Sequence, residues 1–70
     1  MELTAEQRKF LIYVSGYEGR WAAIAPGREE RIAFRLRDKG LVDVNDGGYR
    51  ARITPSGINH IELLKKRGQA

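Results

Sequence analysis

Seventy residues without cysteine leave room for one small core and for neither a disulfide nor a thiolate metal site. Thirteen Lys and Arg against nine Asp and Glu give a net charge of +4, which favours polyanionic partners without naming one. The first residues lack the basic-then-apolar pattern of a secretory leader, and no apolar run approaches membrane-spanning length. The expectation is a single cytoplasmic domain over residues 1–70 with no membrane partner.

Thr4-Ala5-Glu6-Gln7 has the form of a capping box, which predicts a first helix starting there. Phe10, Leu11 and Val14 share one face of it, while Ile12 and Tyr13 make the run apolar nearly all round, as burial by the core and by a second subunit would require. Gly16 and Gly19 end it. Residues 20–27 are the least legible segment and fit one short helix or one strand, closed by the Pro26-Gly27 turn signal. A second helix is predicted over residues 28–39. Glu29 and Glu30 stand at its positive end, Arg37 and Lys39 at its negative end, and Gly40 at the expected left-handed C-cap. With Leu36 inward, Ile32 and Ala33 also face the core, and Arg31, Phe34, Arg35 and Asp38 lie outside.

Residues 41–44 and 49–53 read as strands joined by Asn45-Asp46-Gly47-Gly48, residues that suit a tight hairpin. Alternation predicts Tyr49, Ala51 and Ile53 on one face and Arg50 and Arg52 on the other. Thr54 suits a helix cap and Pro55 the first helical position, so a last helix is predicted to about Arg67, with Ile58, Ile61 and Leu64 as its core stripe and Leu63 to one side.

Enzyme chemistry has little to be built from. Ser15 and Ser56 fall at predicted helix ends or turns, and His60 has no second histidine, so no nucleophile, base and orienting group converge. The expectation is a protein that is not an enzyme, with no cofactor and no metal. Asp43-Val44-Asn45-Asp46-Gly47 lacks the spacing and closing glutamate of a calcium loop, and a hairpin turn accounts for it. Trp21 suits a core or edge anchor, or stacking on a base or an aromatic partner.

Positive charge is local. Residues 20–40 carry six Arg and Lys against three Asp and Glu, and Arg28, Arg31 and Arg35 recur at helical spacing. Guanidinium groups chelate guanine edges and grip phosphate bidentately. The same spacing beside glutamates also describes an ordinary solvated helix face.

The run from Arg35 to Gly57, a basic helix stopped at Lys39-Gly40-Leu41-Val42, a hairpin, and Thr54-Pro55-Ser56-Gly57 opening a helix, resembles the second half of winged-helix domains such as the MarR-like and PadR-like bacterial regulators. That resemblance, which extends over roughly Leu3 to Lys66, implies an α+β winged helix: three helices plus a two- or three-stranded β-hairpin wing, with DNA binding of the helix-turn-helix type and a role in transcription regulation. By similarity Arg28, Arg31 and Arg35 fall on the recognition helix and Arg50 and Arg52 in the wing, with Asn45 at its tip, while Arg20 and Lys39 flank them. Only Arg20 to Gly27 separates the first helix from Arg28, so the helix that braces recognition in such domains is short or missing, and Glu29 and Glu30 occupy the end that approaches base edges.

The leading functional expectation is a small DNA-binding protein, a transcriptional regulator or phage or mobile-element accessory factor, with residues 28–39 in the major groove and residues 41–53 on the backbone. Double-stranded DNA is the expected partner, and excess apolar residues at Ile12, Tyr13 and Leu63 point to a homodimer. The alternative is a winged-helix interaction module that docks on a protein partner through Phe34 and Trp21 without touching DNA. Phe34 also fits a thymine-methyl contact, a dimer contact or the core.

Overall fold

A computed structural model describes residues 3–66. Its elements are α1 (Ala5–Ser15), β1 (Ala22–Ala23), α2 (Arg28–Asp38), β2 (Val42–Val44), β3 (Arg50–Ile53) and α3 (Pro55–Lys66). Arg67, where the last helix was expected to end, lies outside the described residues, as do Met1 and Glu2. The strands form one antiparallel sheet in the order β1-β3-β2, giving an α+β domain of three helices and three strands. No helix of the described residues is long and apolar enough to cross a membrane.

Local chemistry sets the element ends. The Thr4 hydroxyl accepts from Gln7 N–H at 3.1 Å and the Gln7 side chain accepts from Thr4 N–H at 3.0 Å, so both halves of the capping box form at the start of α1. The end of α2 is a Schellman motif. Gly40 sits at φ +78°, its N–H donates to the Arg37 carbonyl, and the Leu41 N–H reaches back to the Leu36 carbonyl at 3.0 Å. Thr54 ties the connection between α2 and β2 to the start of α3. Its hydroxyl accepts from Gly57 N–H and donates to the Gly40 carbonyl, and its own N–H donates to the Leu41 carbonyl.

The core lies between the helices and one face of the sheet. Phe10, Leu11 and Val14 of α1, Ala33 and Leu36 of α2, and Ile61 and Leu64 of α3 pack against Ala22, Val42, Ala51 and Ile53 of the strands. Each fully buried Leu or Val side chain of this set, such as Leu11 or Val42, stabilises the fold by about 1.5–3 kcal/mol. Ile32 is half-buried at the margin of this core.

The segment that fitted helix or strand is a strand followed by a turn. Ala22 pairs with Ala51 and Ala23 with Arg50. The Tyr13 hydroxyl donates to the Ala23 carbonyl at 2.8 Å, and the Ala25 N–H donates to the Glu29 carboxylate at 3.0 Å, so side chains of α1 and α2 hold the segment on both sides. Among the described residues α2 therefore follows a strand and the Pro26-Gly27 turn rather than a bracing helix.

Two expected core positions are corrected. Ile58 is 44% exposed, and the first inward position of α3 is Gly57, which is buried because the helix backbone lies directly on Leu41 and Ile53. Tyr49 is 70% exposed rather than facing inward with Ala51 and Ile53. The last inward pair across β2 and β3 is Val44 with Ala51. Beyond it the Tyr49 ring turns back over Gly47, where the missing side chain leaves it room.

Candidate nucleic-acid interface

The face of α2 turned away from the core carries Arg31 and Arg35, one helical turn apart and both exposed. Arg28, two turns before Arg35 on nearly the same side of the helix, is also exposed, and its guanidinium is 3.8 Å from Glu6 of α1. Both partners of that pair are well solvated, so it contributes little stability and still dilutes the local positive field. Lys39 is at the far end of α2, about 16 Å along the axis from Arg28 by helical rise, and Arg20 is exposed ahead of β1. The three Arg/Lys–carboxylate pairs among the described residues are Arg28–Glu6, Arg37–Asp38 and Arg52–Asp43; Arg20, Arg31, Arg35, Lys39 and Arg50 take part in none.

The two glutamates at the start of α2 are turned away from this face. Glu29, half-buried, holds the Ala25 N–H, and Glu30, half-buried, lies beside Gly48 of the hairpin. Both carboxylates also sit at the positive end of the helix, where its N-terminal N–H groups stabilise them. Phe34 lies on neither the outer face nor in the core. It is half-buried, its ring next to Gly48 and under the Arg37 guanidinium, which stands 4.6 Å from the ring centre. The hairpin tip thus rests on the flank of α2 formed by Glu30 and Phe34.

The hairpin arginines divide. Arg50 and Arg52 alternate outward with Ala51 and Ile53 inward, as the sequence predicts. Arg52 is already engaged, however. Its guanidinium stands 4.7 Å from the centre of the Trp21 ring and 3.5 Å from the Asp43 carboxylate, its partner in the β2–β3 register. A guanidinium held between an indole and a carboxylate is pre-oriented but part-neutralised. Arg50 is the unpaired cation of the pair. Trp21, 38% exposed, is neither a core anchor nor a bare stacking surface, because Arg52 lies over it.

Asn45 has a structural duty. Its amide oxygen accepts from both Tyr49 N–H (2.9 Å) and Arg50 N–H (3.0 Å), and its carbonyl accepts from Gly48 N–H, which closes the turn. Its side-chain carbonyl is thus committed to the hairpin, leaving only the amide NH₂ for an outside partner. Tyr49 itself, the most exposed of the large apolar residues, was missed by alternation, and the signal that could have found it is its position just after Gly47-Gly48.

An open groove of about 430 Å³ runs between α1 and α2, with Phe10, Tyr13 and Ile32 along it and Glu6, Lys9 and Arg28 at its rim. At its side, the neighbouring Tyr17 phenol, partial desolvation and the Glu29 charge hold the Tyr13 phenol above the ordinary tyrosine value. Compared with known proteins, the chain matches no family model, no curated protein and no solved structure.

Proposed function

We propose that this chain is a small winged-helix DNA-binding protein without enzymatic activity, a transcriptional regulator or phage or mobile-element accessory factor, that sets α2 in the major groove and the β2–β3 hairpin on the adjoining backbone. The observation that carries the reading is the pairing state of the arginines. Arg31 and Arg35 stand one turn apart on an exposed helix face, and no described carboxylate neutralises them. Arg50 extends the same character to the neighbouring hairpin. Side chains of this type, unpaired and spaced along one helix, suit base edges and phosphates together. Glu29 is drawn to the Ala25 N–H and Glu30 toward the hairpin, which sets their carboxylates off the face that carries Arg31 and Arg35. Docking on a protein through Phe34 and Trp21 has less to work with, since Arg37 and the hairpin cover one ring and Arg52 the other.

The test is fluorescence anisotropy of a labelled mixed-sequence duplex and its single strand, titrated with wild-type protein and with the Arg31→Ala/Arg35→Ala double variant over a salt series. The wild type should prefer duplex, with an affinity that falls steeply as salt rises. The double variant should flatten that slope by about two if both arginines neutralise phosphates. Equal affinity of the two proteins at every salt concentration would refute the assignment of α2.

A further inference from the structure

Tyr49 is mounted at the hairpin tip in a way that a solvent-facing tyrosine does not need. Its backbone N–H and that of Arg50 are both held by the Asn45 amide oxygen, at 2.9 and 3.0 Å. The ring lies over Gly47, where an added Cβ would stand 2.5 Å from ring carbons Cδ2 and Cε2. The next residue, Gly48, takes φ +72° and turns its bare α-carbon toward α2, where an added Cβ would meet the Glu30 carboxylate at 3.2 Å and the Phe34 ring at 3.6 Å. One glycine therefore seats the ring and the other seats the whole tip against α2. The result is a 70% exposed aromatic residue, beside an unpaired arginine, on a tip whose backbone is seated against the helix that bears Arg31 and Arg35.

We infer that Tyr49 is a non-ionic DNA contact of the hairpin tip, its ring packing against the deoxyribose wall of the backbone while Arg50 meets phosphate. This deepens the DNA-binding reading and rests on it. A rigid ring loses little conformational entropy on contact, and its apolar face complements the sugar rather than the charged oxygens, so it adds affinity that salt does not screen. Because Gly48 seats the tip on α2, helix and tip act as one unit of fixed spacing, unlike a wing that swings free of its helix. A lone ring at a tip suits the wall of a duplex better than the base stack of a single strand, which calls for successive aromatic platforms.

The experiment uses the full chain and the same labelled duplex and single strand, with Tyr49→Ala, Gly47→Ala, Arg50→Ala and the Arg31/Arg35 double variant. Gly47→Ala keeps the ring and every charge but displaces the ring from its seat, and a thermal melt of each variant checks the fold. Tyr49→Ala should weaken duplex binding about tenfold, as loss of an interface anchor does, with the wild-type salt slope kept. Gly47→Ala should weaken it in the same direction, and Arg50→Ala should instead flatten the slope by about one. Wild-type affinity in both Tyr49→Ala and Gly47→Ala, alongside lost binding in the double variant, overturns the Tyr49 contact and leaves the DNA reading standing. A loss confined to the single strand also overturns it, in favour of base stacking. Absence of duplex binding by the wild type even at low salt overturns both.

Discussion

Replacing Gly57 by alanine sets two effects against each other. Alanine is the better helix former, by up to about 1 kcal/mol in a helix interior and less in a first turn. Gly57, though, is buried where α3 crosses the sheet. An added Cβ would stand 2.6 Å from Ile53 Cγ1 and closer still to the Leu41 carbonyl oxygen, a backbone atom that no rotamer change can move. Ordinary contact between carbons is about 3.5–4.0 Å, so α3 would have to retreat by roughly 1 Å. That retreat pulls on the Thr54 hydroxyl, which bonds Gly57 N–H at 3.0 Å on one side and the Gly40 carbonyl at 2.7 Å on the other. Overpacking of this kind costs about 1–3 kcal/mol, and weakening one hydrogen bond adds about 1, so the net loss should be roughly 2 kcal/mol. In a domain of this size that corresponds to a fall in Tm of about 8–16 °C. Thermal and urea denaturation followed by far-ultraviolet circular dichroism and Trp21 fluorescence measure it. Gly16→Ala is the control, since Gly16 has an ordinary helical backbone, φ −65°, and its added Cβ would meet nothing closer than 3.4 Å. That variant should be neutral or gain up to about 1 kcal/mol. A Gly57→Ala protein as stable as the wild type would refute the close approach of α3 to Leu41 and Ile53.

Two further outcomes follow from bonds described above. Asn45→Ala should cost about 1–2 kcal/mol and speed amide hydrogen exchange at Tyr49 and Arg50, whose N–H groups it leaves to water, while Asn45→Asp keeps the acceptor and most of the protection; unchanged exchange rates in the alanine variant would remove Asn45 from the turn. For Tyr13 the sign is set by the raised phenol: the folded chain holds that proton more tightly than the unfolded chain, whose value is the ordinary 10.0, so the stabilisation is complete below that pH and is lost as pH rises through the folded value. Urea midpoints measured from neutral to strongly alkaline pH should therefore fall faster for wild type than for Tyr13→Phe above about pH 10, with the variant about 0.5–1 kcal/mol weaker at neutral pH from the lost Ala23 bond. Parallel curves would count against it.

What the sequence made legible is what neighbours along the chain decide. The Thr4 to Gln7 box, the Gly40 cap, the Asn45 to Gly48 turn and the Thr54-Pro55 start all depend on groups within a few residues, and each stands in the structure. The strand at Ala22-Ala23 was opaque because it exists through Ala51, Arg50, Tyr13 and Glu29, which are brought to it only by folding. Hydropathy could not assign Gly57 over Ile58, since a glycine buried through its backbone gives no apolar signal. Among the candidate site residues, spacing correctly made Arg31, Arg35, Arg50 and Arg52 exposed, but it could not tell free cations from engaged ones. Arg52 meets Trp21 only once β1 lies beside β3, and Arg28 meets Glu6 only once α1 packs on α2.

The bonds that Tyr13 and Glu29 make to β1 also bear on how copies of the chain treat one another. Ile24 N–H donates to the Tyr49 carbonyl, so the backbone groups of Ala23 and Ala25 point away from β3, toward the open side of the sheet. Of the groups a foreign strand would need there, the Tyr13 hydroxyl already holds the Ala23 carbonyl and the Glu29 carboxylate holds the Ala25 N–H. The other rim, β2, is three residues long with a carboxylate, Asp43, at its centre. Short, capped or charged rims are poor templates for strand addition, the usual route to fibrils and to domain exchange. Both rims of the sheet among the described residues therefore resist the addition of a foreign strand, which disfavours cross-β pairing between folded copies.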